Sequence, residues 1–374
     1  MTAPTTEKAI TFFHTTVTPR AMELVAEVLR TGWLNEGEIT KQFEAELARL
    51  LRVANPVALN SGTAALHLAL ELANIQAGDE VIIPPQTFVA TGLVVLQMRA
   101  KPVFCDIDPW TGNLDPASLQ RCLTPKTRAI IPVHWGGYPC EMDEIHAFAA
   151  AHRLTVIEDA AHALGATYKG RPIGSISRYT AFSFQAIKHL TTGDGGLLCC
   201  PDPKDAEQAR IRRWFGIDRS DMRRSILGDR GFDIASLGFK YHMNNVAAAI
   251  GLGNLEAFPA TLARRQAITS RYRAAFASTP GLHLLRWKDD RTHAWWVFTI
   301  RVDERENFVR ALQGRGVPAT VVDLSIDRNS VLGGLRTDLP GQTEFNANQI
   351  ALPCHEGLSD NDVDRVIAAV QAGW

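Results

Sequence analysis

The stretch AFSFQAIKHLTTGDGG, residues 181–196, places one lysine between aromatic side chains and a run of glycines. Phe182 and Phe184 precede Lys188, and they can form an apolar wall beside its amine. An amine in such dry surroundings has a lowered pKa, which makes it a nucleophile toward carbonyl groups. The glycines that follow let the backbone turn sharply and pass close to a ligand. The ordinary alternative is a surface lysine beside a β-turn.

Outward from this stretch, short apolar runs alternate with longer helical patterns. The apolar runs predict strands at residues 56–60, 79–85, 101–108, 128–135, 155–161, 179–185 and 195–200. The helical patterns between them cover residues 62–73, 88–98 and 141–153. Continuous apolar strands that alternate with helices are typical of a parallel sheet with both faces covered. We therefore predict an α/β protein whose large domain, residues 30–255, contains a mostly parallel sheet with helices on both faces.

The C-terminal third of the chain has a different pattern. It predicts strands and helices in the order 258–278 (helix), 282–286 and 295–302 (strands), 304–315 and 359–373 (helices). These elements form a smaller α+β domain, residues 256–374. We expect the N-terminal segment, residues 1–29, which contains most of the helical pattern PRAMELVAEVLRTG, to pack with this small domain.

The composition and net charge of the chain argue against several classes of binding partner. The 374 residues carry a net charge of −1, which gives no bulk attraction to nucleic acid or to an acidic membrane surface. The polar start does not fit a secretory signal, and no apolar run is long enough to span a bilayer. The six cysteines include no CxxC pair, so zinc and redox motifs are absent. We expect a cytoplasmic protein with no nucleic-acid, membrane or metal partner.

Two further motifs lie at places where ligands bind in α/β sheets. In NSGTAAL (60–66) a strand ends and a helix begins, so Gly62 and Thr63 lie at a helix N-terminus, which favours a phosphate. In VIEDAAH (156–162) Asp159 ends a buried strand, where a carboxylate needs a cation or hydrogen bonds. Each motif, taken alone, also fits an ordinary cap of the next element.

The three signals together fit pyridoxal 5′-phosphate (PLP). This cofactor requires a cradle for its phosphate, an acid against its pyridine nitrogen and a lysine that forms a Schiff base with its aldehyde. The helix N-terminus at Gly62, the carboxylate of Asp159 and the amine of Lys188 supply these groups in one chain, and Ser183 can reach the phosphate. Because each signal needs the others, their joint occurrence favours this cofactor over the separate structural explanations.

Nearly the whole chain also resembles the nucleotide-sugar aminotransferases of the DegT/StrS type, which belong to the fold-type-I PLP enzymes. The resemblance is carried, in order, by ALNSGTAALHLAL, DEVIIPPQTFVAT, VFCDIDPWTGNLDP, VIEDAAHALGATYKGRPIGS, FSFQAIKHLTTGDGG, GFKYHMNNVAAAIGLGNL and ALPCHEGLSDNDVDRVI. It implies a homodimer with shared active sites, a nucleotide-sugar substrate and an amino-acid donor. It also implies a role in polysaccharide or lipopolysaccharide biosynthesis.

The resemblance further implies a role for individual residues. Lys188 bonds to the cofactor aldehyde and moves the proton between cofactor and substrate, and Asp159 pairs with the pyridine nitrogen. Phe88 stacks on the pyridine ring. His162, which alone also fits a satisfied core histidine, stands near that ring. The resemblance assigns the phosphate group to Gly62, Thr63 and Ser183.

Three parts of the chain depart from the family pattern. Lys240 replaces an asparagine that reaches the phosphate of the partner subunit's site, where a lysine can serve as a point charge. His242 stands where relatives often have arginine. Residues 320–340 replace a histidine-rich stretch that helps hold the sugar nucleotide. Arg328 and Asn329 in this stretch are therefore candidates for diphosphate or sugar contacts, or else they belong to a solvated loop.

We predict a PLP-dependent aminotransferase that moves an amino group, from glutamate by resemblance, onto a keto-deoxy sugar carried by a nucleoside diphosphate. The nearest alternative is another reaction of this fold, either amino-acid transamination or the sugar dehydration of relatives with histidine in place of the lysine. His189 follows Lys188 directly, and neighbouring side chains point in different directions, so His189 does not substitute for it. The alternative from another class is a cofactor-binding regulator without turnover.

Overall fold

The structure, a computed structural model, describes residues 9–219, 223–224, 226–228 and 230–374. Its strands are β1 (Pro56–Leu59), β2 (Glu80–Ile83), β3 (Lys101–Phe104), β4 (Thr127–Ile130), β5 (Thr155–Asp159), β6 (Thr167–Tyr168), β7 (Arg171–Pro172), β8 (Tyr179–Ser183), β9 (Gly196–Cys199), β10 (Arg223–Arg224), β11 (Arg230–Gly231), β12 (Leu282–Leu284), β13 (Arg291–Thr292), β14 (Phe298–Val302) and β15 (Gln349–Leu352). Its α-helices are α1 (Pro19–Thr31), α2 (Glu38–Leu51), α3 (Gly62–Leu72), α4 (Ala90–Gln97), α5 (Leu119–Cys122), α6 (Met142–His152), α7 (Pro203–Arg212), α8 (Asn245–Leu255), α9 (Phe258–Phe276), α10 (Arg305–Gly314), α11 (Pro340–Asn348) and α12 (Asp360–Gln371).

Seven strands form the sheet on which the candidate site is built, in the order β1-β9-β8-β5-β4-β2-β3. The five strands from β8 to β3 pair in parallel. Within this sheet β9 runs antiparallel to both of its neighbours, β1 and β8. The predicted mostly parallel sheet is therefore confirmed, with one reversed strand near its edge.

Both faces of the sheet are covered, because side chains of successive strand residues point to opposite sides. In β1, Val57 and Leu59 join the apolar cluster that includes α3 and α4. Ala58 between them joins the cluster that includes α2, α6 and α8. A strand that is apolar on both faces reads as a continuous hydrophobic run, which explains why the sequence pattern identified these strands.

The end of one strand and a small sheet are two differences from the sequence prediction. The predicted strand at 128–135 ends at Ile130, and its continuation forms only the isolated bridge between Val133 and Asp159. The chain then turns at Gly136 and Gly137, whose φ angles are 62° and 103°. A short antiparallel sheet, in the order β13-β6-β7, escaped prediction because its strands are only two residues long.

A second sheet, with the antiparallel order β12-β14-β15, forms the centre of the C-terminal part. Helices α9, α10 and α12 pack on it around an apolar core. Helix α9 serves two cores, since Phe258 at its start joins the core of the large sheet, whereas Tyr272 and Phe276 near its end join the small one. The domain boundary between residues 255 and 256 stays a prediction.

The N-terminal segment divides its contacts between the two parts of the molecule. The Thr16 hydroxyl donates to Glu356 Oε1 at 2.7 Å, so the residues before α1 contact the small part. Helix α1 itself differs from the prediction, because Leu24 and Val28 pack with Ala249 of α8. The Thr18 hydroxyl supports this arrangement by donating to the carbonyl of Gly253 at 3.0 Å.

Within the described residues, no single helix is long and apolar enough to cross a membrane, although α8 and α9, bent by 58°, reach the required length and composition as a pair. The same part of the chain contains no group of three or more His, Cys, Asp or Glu side chains arranged for a metal ion. All six cysteines are free and buried. They therefore behave as small apolar residues of the core.

Glu158 is a fully buried carboxylate on the face of β5 that points away from the candidate site. Its oxygens accept hydrogen bonds from His134 Nε2 at 2.8 Å, Ser177 N at 3.1 Å and Thr180 Oγ1 at 3.2 Å. The amide of Cys140 donates to His134 Nδ1, which leaves Nε2 to carry the proton. Burial alone would raise the pKa of Glu158, but these donors lower it below the ordinary value of 4.5.

We predict that Glu158→Gln lowers the free energy of unfolding at pH 7 by roughly 3 kcal/mol, because buried donors lose a charged acceptor. The pKa of Glu158 is lower in the folded protein, so its stabilisation is complete above about pH 4.5 and is lost as the pH falls below that value. The difference in melting temperature between wild type and variant should therefore shrink toward pH 3. Glu306→Gln, at an exposed position, is the control. Equal melting temperatures at pH 7 would contradict the prediction.

Candidate active site

A cavity of about 420 Å³ lies at the carboxyl ends of the parallel strands, the edge at which open α/β sheets bind ligands. Asp159 reaches it from the end of β5 and Ser183 from the end of β8. Lys188 lines the cavity from the loop that follows β8, and Gly62 lines it from the start of α3. The topology thus brings together residues that are far apart in the sequence, because β5 and β8 are neighbours in the sheet.

The carboxylate of Asp159 is buried and only partly compensated. Its Oδ2 atom accepts from the Thr91 hydroxyl at 2.7 Å, and its Oδ1 atom accepts from the Ala161 amide at 3.2 Å. Burial raises the pKa of Asp159, and these two donors, with the charge of Lys188, offset the rise only in part. A cation in the cavity would complete the compensation, and the protonated pyridine nitrogen of PLP has that charge.

Lys188 presents its amine to the same cavity. Its backbone amide donates to the carbonyl of Gln185 at 2.9 Å, which folds the loop into a tight turn after β8. Burial lowers the pKa of Lys188 to about 7, and the nearby carboxylates of Asp159 and Asp323 oppose that decrease. An amine with this pKa is neutral in a large fraction of molecules at neutral pH, as a nucleophile toward an aldehyde must be.

The opposite end of the cavity is suited to a phosphate. Gly62 and Thr63 are the first residues of α3, where backbone N–H groups lack partners within the helix. Ser183 lies against them, since a Cβ atom added to Gly62 would be only 3.0 Å from Ser183 Cβ. Gly196 at the start of β9 is also required, because a Cβ atom there would lie 2.2 Å from the carbonyl oxygen of Ser61. The glycine run thus lets β9 pass against the phosphate end.

His162 and Phe88 complete the walls around a planar ligand. The His162 side chain is buried, lines the cavity and has an Nδ1 atom without a hydrogen-bond partner in the structure. Burial lowers the pKa of His162 well below its ordinary value, so the imidazole is neutral. Phe88 is apolar but 59% exposed, and it borders the cavity. An unpartnered polar atom and an uncovered aromatic ring are both features that a bound aromatic cofactor would satisfy.

Three predicted residues lie away from this group. The described residues that line the cavity do not include Lys240, Arg328 or Asn329. Lys240 is exposed, and its carbonyl accepts from the Asn60 side chain at 3.1 Å. Arg328 is exposed. The side-chain Nδ2 of Asn329 donates to the carbonyl of Ile326 at 2.8 Å, within the same turn. Binding roles for these three residues stay predictions.

Among the residues that line the cavity, Thr91, Trp296 and Asp323 are polar or aromatic groups that the sequence analysis missed. The hydroxyl of Thr91 donates to Asp159 at 2.7 Å and shares a hydrogen bond with the Thr87 hydroxyl at 2.8 Å. Thr87 lies before α4, so no helical spacing in the sequence indicated this pair. Trp296 and Asp323 enter the cavity from the small part of the molecule. Their contacts depend on how the two parts pack together, and no local pattern in the sequence indicates them.

The comparison with protein-family models matches residues 16–371 to the DegT/DnrJ/EryC1/StrS aminotransferase family. The chain belongs to this family. The spore coat polysaccharide biosynthesis protein SpsC of Bacillus subtilis is 40% identical over 359 residues, which are 93% of this chain and 92% of SpsC. The GDP-perosamine synthase of Caulobacter vibrioides is 37% identical over 357 residues, which are 93% of this chain and 94% of that enzyme.

Solved structures agree with this assignment. AtS13 from Actinomadura melliaura superposes with a TM-score of 0.93 at 38% identity, covering 99% of this chain and 100% of AtS13. The PLP form of Spr1654 from Streptococcus pneumoniae has a TM-score of 0.89 at 30% identity, covering 98% of each chain. A PMP form of Spr1654 has also been solved. The protein is therefore a PLP-dependent sugar aminotransferase, and the predicted family and cofactor are confirmed.

We predict that Lys188→Ala lowers turnover by roughly 10⁴-fold, because the change removes both the nucleophile and the group that moves the proton. The phosphate end and Asp159 remain, so the variant should still bind PLP without a covalent bond. Steady-state rates and the absorbance of bound PLP check this prediction. Lys204→Ala, at an exposed position, is the matched control. Turnover of Lys188→Ala within a few-fold of wild type would refute the assignment.

Asp159→Asn should reduce the rate of each half-reaction about 100-fold while PLP retention changes little. The neutral amide cannot hold the pyridine nitrogen protonated, and a lost charge-assisted hydrogen bond of about 3 kcal/mol corresponds to that factor. Stopped-flow absorbance of the two half-reactions and dialysis of the loaded protein measure the two effects separately. Asp303→Asn, whose side chain is 64% exposed, is the control. Unchanged half-reaction rates would mean that Asp159 only caps its turn.

Proposed function

We propose that this enzyme transfers an amino group from glutamate to a keto-deoxy sugar carried by a nucleoside diphosphate. The observation that carries the proposal is the joint placement of Lys188 and Asp159 on one cavity, opposite the phosphate end at Gly62. The similarity to a GDP-perosamine synthase supports a nucleotide-linked sugar, and the similarity to SpsC supports a product destined for polysaccharide. Glutamate is proposed on the family resemblance of the sequence.

The volume of the cavity is compatible with a bound cofactor and part of a substrate. Its volume of about 420 Å³ lies within the range of roughly 300–1,000 Å³ typical of small-molecule sites. The cofactor and a sugar ring would occupy this space, so the nucleotide would lie largely outside it. Val322 and Asp323, from the stretch that departs from the family pattern, form part of the opposite wall.

Within this proposal, each residue has a definite task in the reaction. PLP, when bound, supplies an aldehyde and a ring that draws electrons from the reacting carbon. Asp159 would keep a positive charge on the ring nitrogen, and the N-terminus of α3 with Ser183 would hold the phosphate. Lys188 is placed to take a proton from the donor carbon and to return a proton to the sugar carbon. A pKa of about 7 suits both transfers, because neither form of the amine is strongly favoured.

The alternatives fit the site less well. Sugar dehydration belongs to relatives with histidine in place of the lysine, and here Lys188 lines the cavity, whereas His189 is buried elsewhere. A regulator without turnover would not need a lysine with a pKa of about 7 beside Asp159. Amino-acid transamination would use the same residues. We favour a sugar substrate because the similar proteins are sugar aminotransferases.

The proposal is tested with purified enzyme loaded with PLP. Glutamate should bleach the visible absorbance of the cofactor, and GDP-, UDP- or TDP-linked keto-6-deoxyhexoses should then restore it and appear as amino sugars by mass spectrometry. Lys188→Ala is the negative control. Amination of keto acids alone would favour amino-acid transamination, loss of water without gain of nitrogen would favour dehydration, and absence of any conversion would favour a regulator.

We further propose that the enzyme works as a cytoplasmic homodimer with shared active sites. Trp33 and Leu34 after α1, and Phe232, Ile234 and Leu237 before Lys240, are exposed apolar side chains. Exposed apolar patches mark protein–protein contact sites, so these two segments are the candidates for contact with a second copy. Six free cysteines, all buried, suit a reducing compartment.

The dimer proposal predicts that Lys240 serves the site of the partner subunit. Lys188→Ala and Lys240→Glu proteins should each be inactive, the second because a carboxylate repels the cofactor phosphate. After the two proteins are mixed and their subunits exchange, one site of each heterodimer carries both defects and the other carries neither. Activity of the mixture should rise above that of either parent, as measured after incubation at increasing times. Absence of any rise would remove Lys240 from the shared site.

A further inference from the structure

The amine of Lys188 lies on an aromatic ring that belongs to the small part of the molecule. Its Nζ atom is 3.7 Å from the centroid of the Trp296 ring. This separation is well inside the limit of about 6 Å for a cation–π interaction, which favours the protonated amine. Asp323, also from the small part, lines the same cavity and faces Lys188 with a carboxylate. The amine thus has a ring and a negative charge beside it in addition to Asp159.

Trp296 is held rigidly by contacts with both parts of the molecule. Its indole Nε1 donates to the carbonyl of Ile187 at 3.1 Å, directly before Lys188. Its carbonyl accepts from the buried Arg265 side chain at 3.1 Å. On the large part, the His162 ring stacks on Trp296 with centroids 3.7 Å apart and an angle of 12°. A ring fixed in this way presents a stable surface to the amine rather than a mobile one.

Asp323 is held just as firmly, through buried amides. The side-chain amides of Gln86 and Gln349 donate to its carbonyl at 3.1 Å and 3.2 Å. Gln342 in turn donates to Gln86 Oε1 at 2.9 Å. All three glutamines are buried, and Gln86 precedes the cavity residue Phe88 in the sequence. The network therefore fixes the backbone at Asp323 against the turn that carries Phe88.

We propose that Trp296 and Asp323 form a resting site for the Lys188 ammonium, which the amine occupies whenever it is not bonded to the cofactor. The two residues are positioning residues, because they act through Lys188. During turnover the amine is released and has to return, and a fixed resting site keeps it within reach of the reacting carbon. The inference rests on the role of Lys188 in the proposed function, and it does not depend on which sugar is the substrate.

The charges around Lys188 decide the direction of the expected change. The titratable groups whose charges interact with it are Asp159, Asp323, His162 and His189. Of the two histidines, His162 lines the cavity and His189 does not. Burial lowers the pKa of the amine to about 7, and the two carboxylates act against that decrease. The ring of Trp296 acts in the same direction as the carboxylates, since it attracts the ammonium form. Loss of either resting-site residue should therefore lower the pKa of Lys188 further.

The test measures capture of PLP by Lys188 in the full-length protein freed of cofactor. PLP is added at pH 5.5 to 8.5, the imine bond is reduced with cyanoborohydride, and mass spectrometry quantifies labelled Lys188 against the exposed Lys204 in the same sample. Wild-type capture should rise with pH and level off above about pH 7. Trp296→Leu and Asp323→Asn should each move the midpoint down by about one pH unit. Both variants should then be captured several-fold faster than wild type at pH 6, relative to their own plateaus.

Two further variants separate positioning from a merely structural role. Trp296→Phe retains a smaller ring without the indole N–H, so its midpoint should lie between those of wild type and Trp296→Leu. Asp338→Asn, at an exposed position within residues 320–340, is the charge control. Slower capture by Trp296→Leu at every pH with an unchanged midpoint, or an unchanged midpoint for Asp323→Asn, would overturn the proposal. A wild-type protein that captures PLP at Lys188 but aminates no nucleotide sugar would contradict the proposed function instead and leave the resting site standing.

Discussion

The buried carboxylate of Asp159 determines which hydrogen-bond donors and which charge the surrounding structure has to provide. Asp159 is taken out of water at the end of a central strand, where one hydroxyl and one amide are its hydrogen-bond donors. A carboxylate in that position needs a cation, and the open end of a parallel strand allows a ligand to provide it. Because β8 pairs directly with β5, the loop that bears Lys188 emerges beside the same carboxylate. The partly compensated charge of Asp159 thus favours a ligand that carries a positive charge.

The two parts of the molecule contribute different functions to the cavity. The large sheet, the loops that follow its strands and the start of α3 supply the groups that are proposed to bind the cofactor. The small part supplies Trp296, Val322 and Asp323 on the opposite side, where the substrate would enter. A division of this kind allows the cofactor chemistry to stay constant while the substrate-facing wall changes, which is consistent with the departure of residues 320–340 from the family pattern.

The sequence predicted those features whose causes are local or repeat with a fixed period. Strands buried on both faces appear as apolar runs, and Asp159 and Lys188 were identified because each follows such a run. Trp296 could not be identified, since its contact with Lys188 arises only when the small part packs on the large one. The sequence also did not indicate which element α1 packs against, because Leu24 and Val28 form an apolar stripe that fits any neighbouring apolar surface. Lys240 remains a prediction because its role requires a second subunit.

Helix α9 has a consequence for how this architecture can be recombined. Its first turn fills the core under the large sheet, and its last turns fill the core of the small one. A chimaera joined at residue 255 would therefore exchange Phe258 and Ala294 of the large-sheet core together with most of the small core, and Phe258 would meet foreign neighbours. A workable junction has to retain α9 with the large sheet or replace both of its contact surfaces together. The unit that can be inherited or transplanted is thus larger than the small part, which makes substrate range easier to alter through the 320–340 wall than through domain exchange.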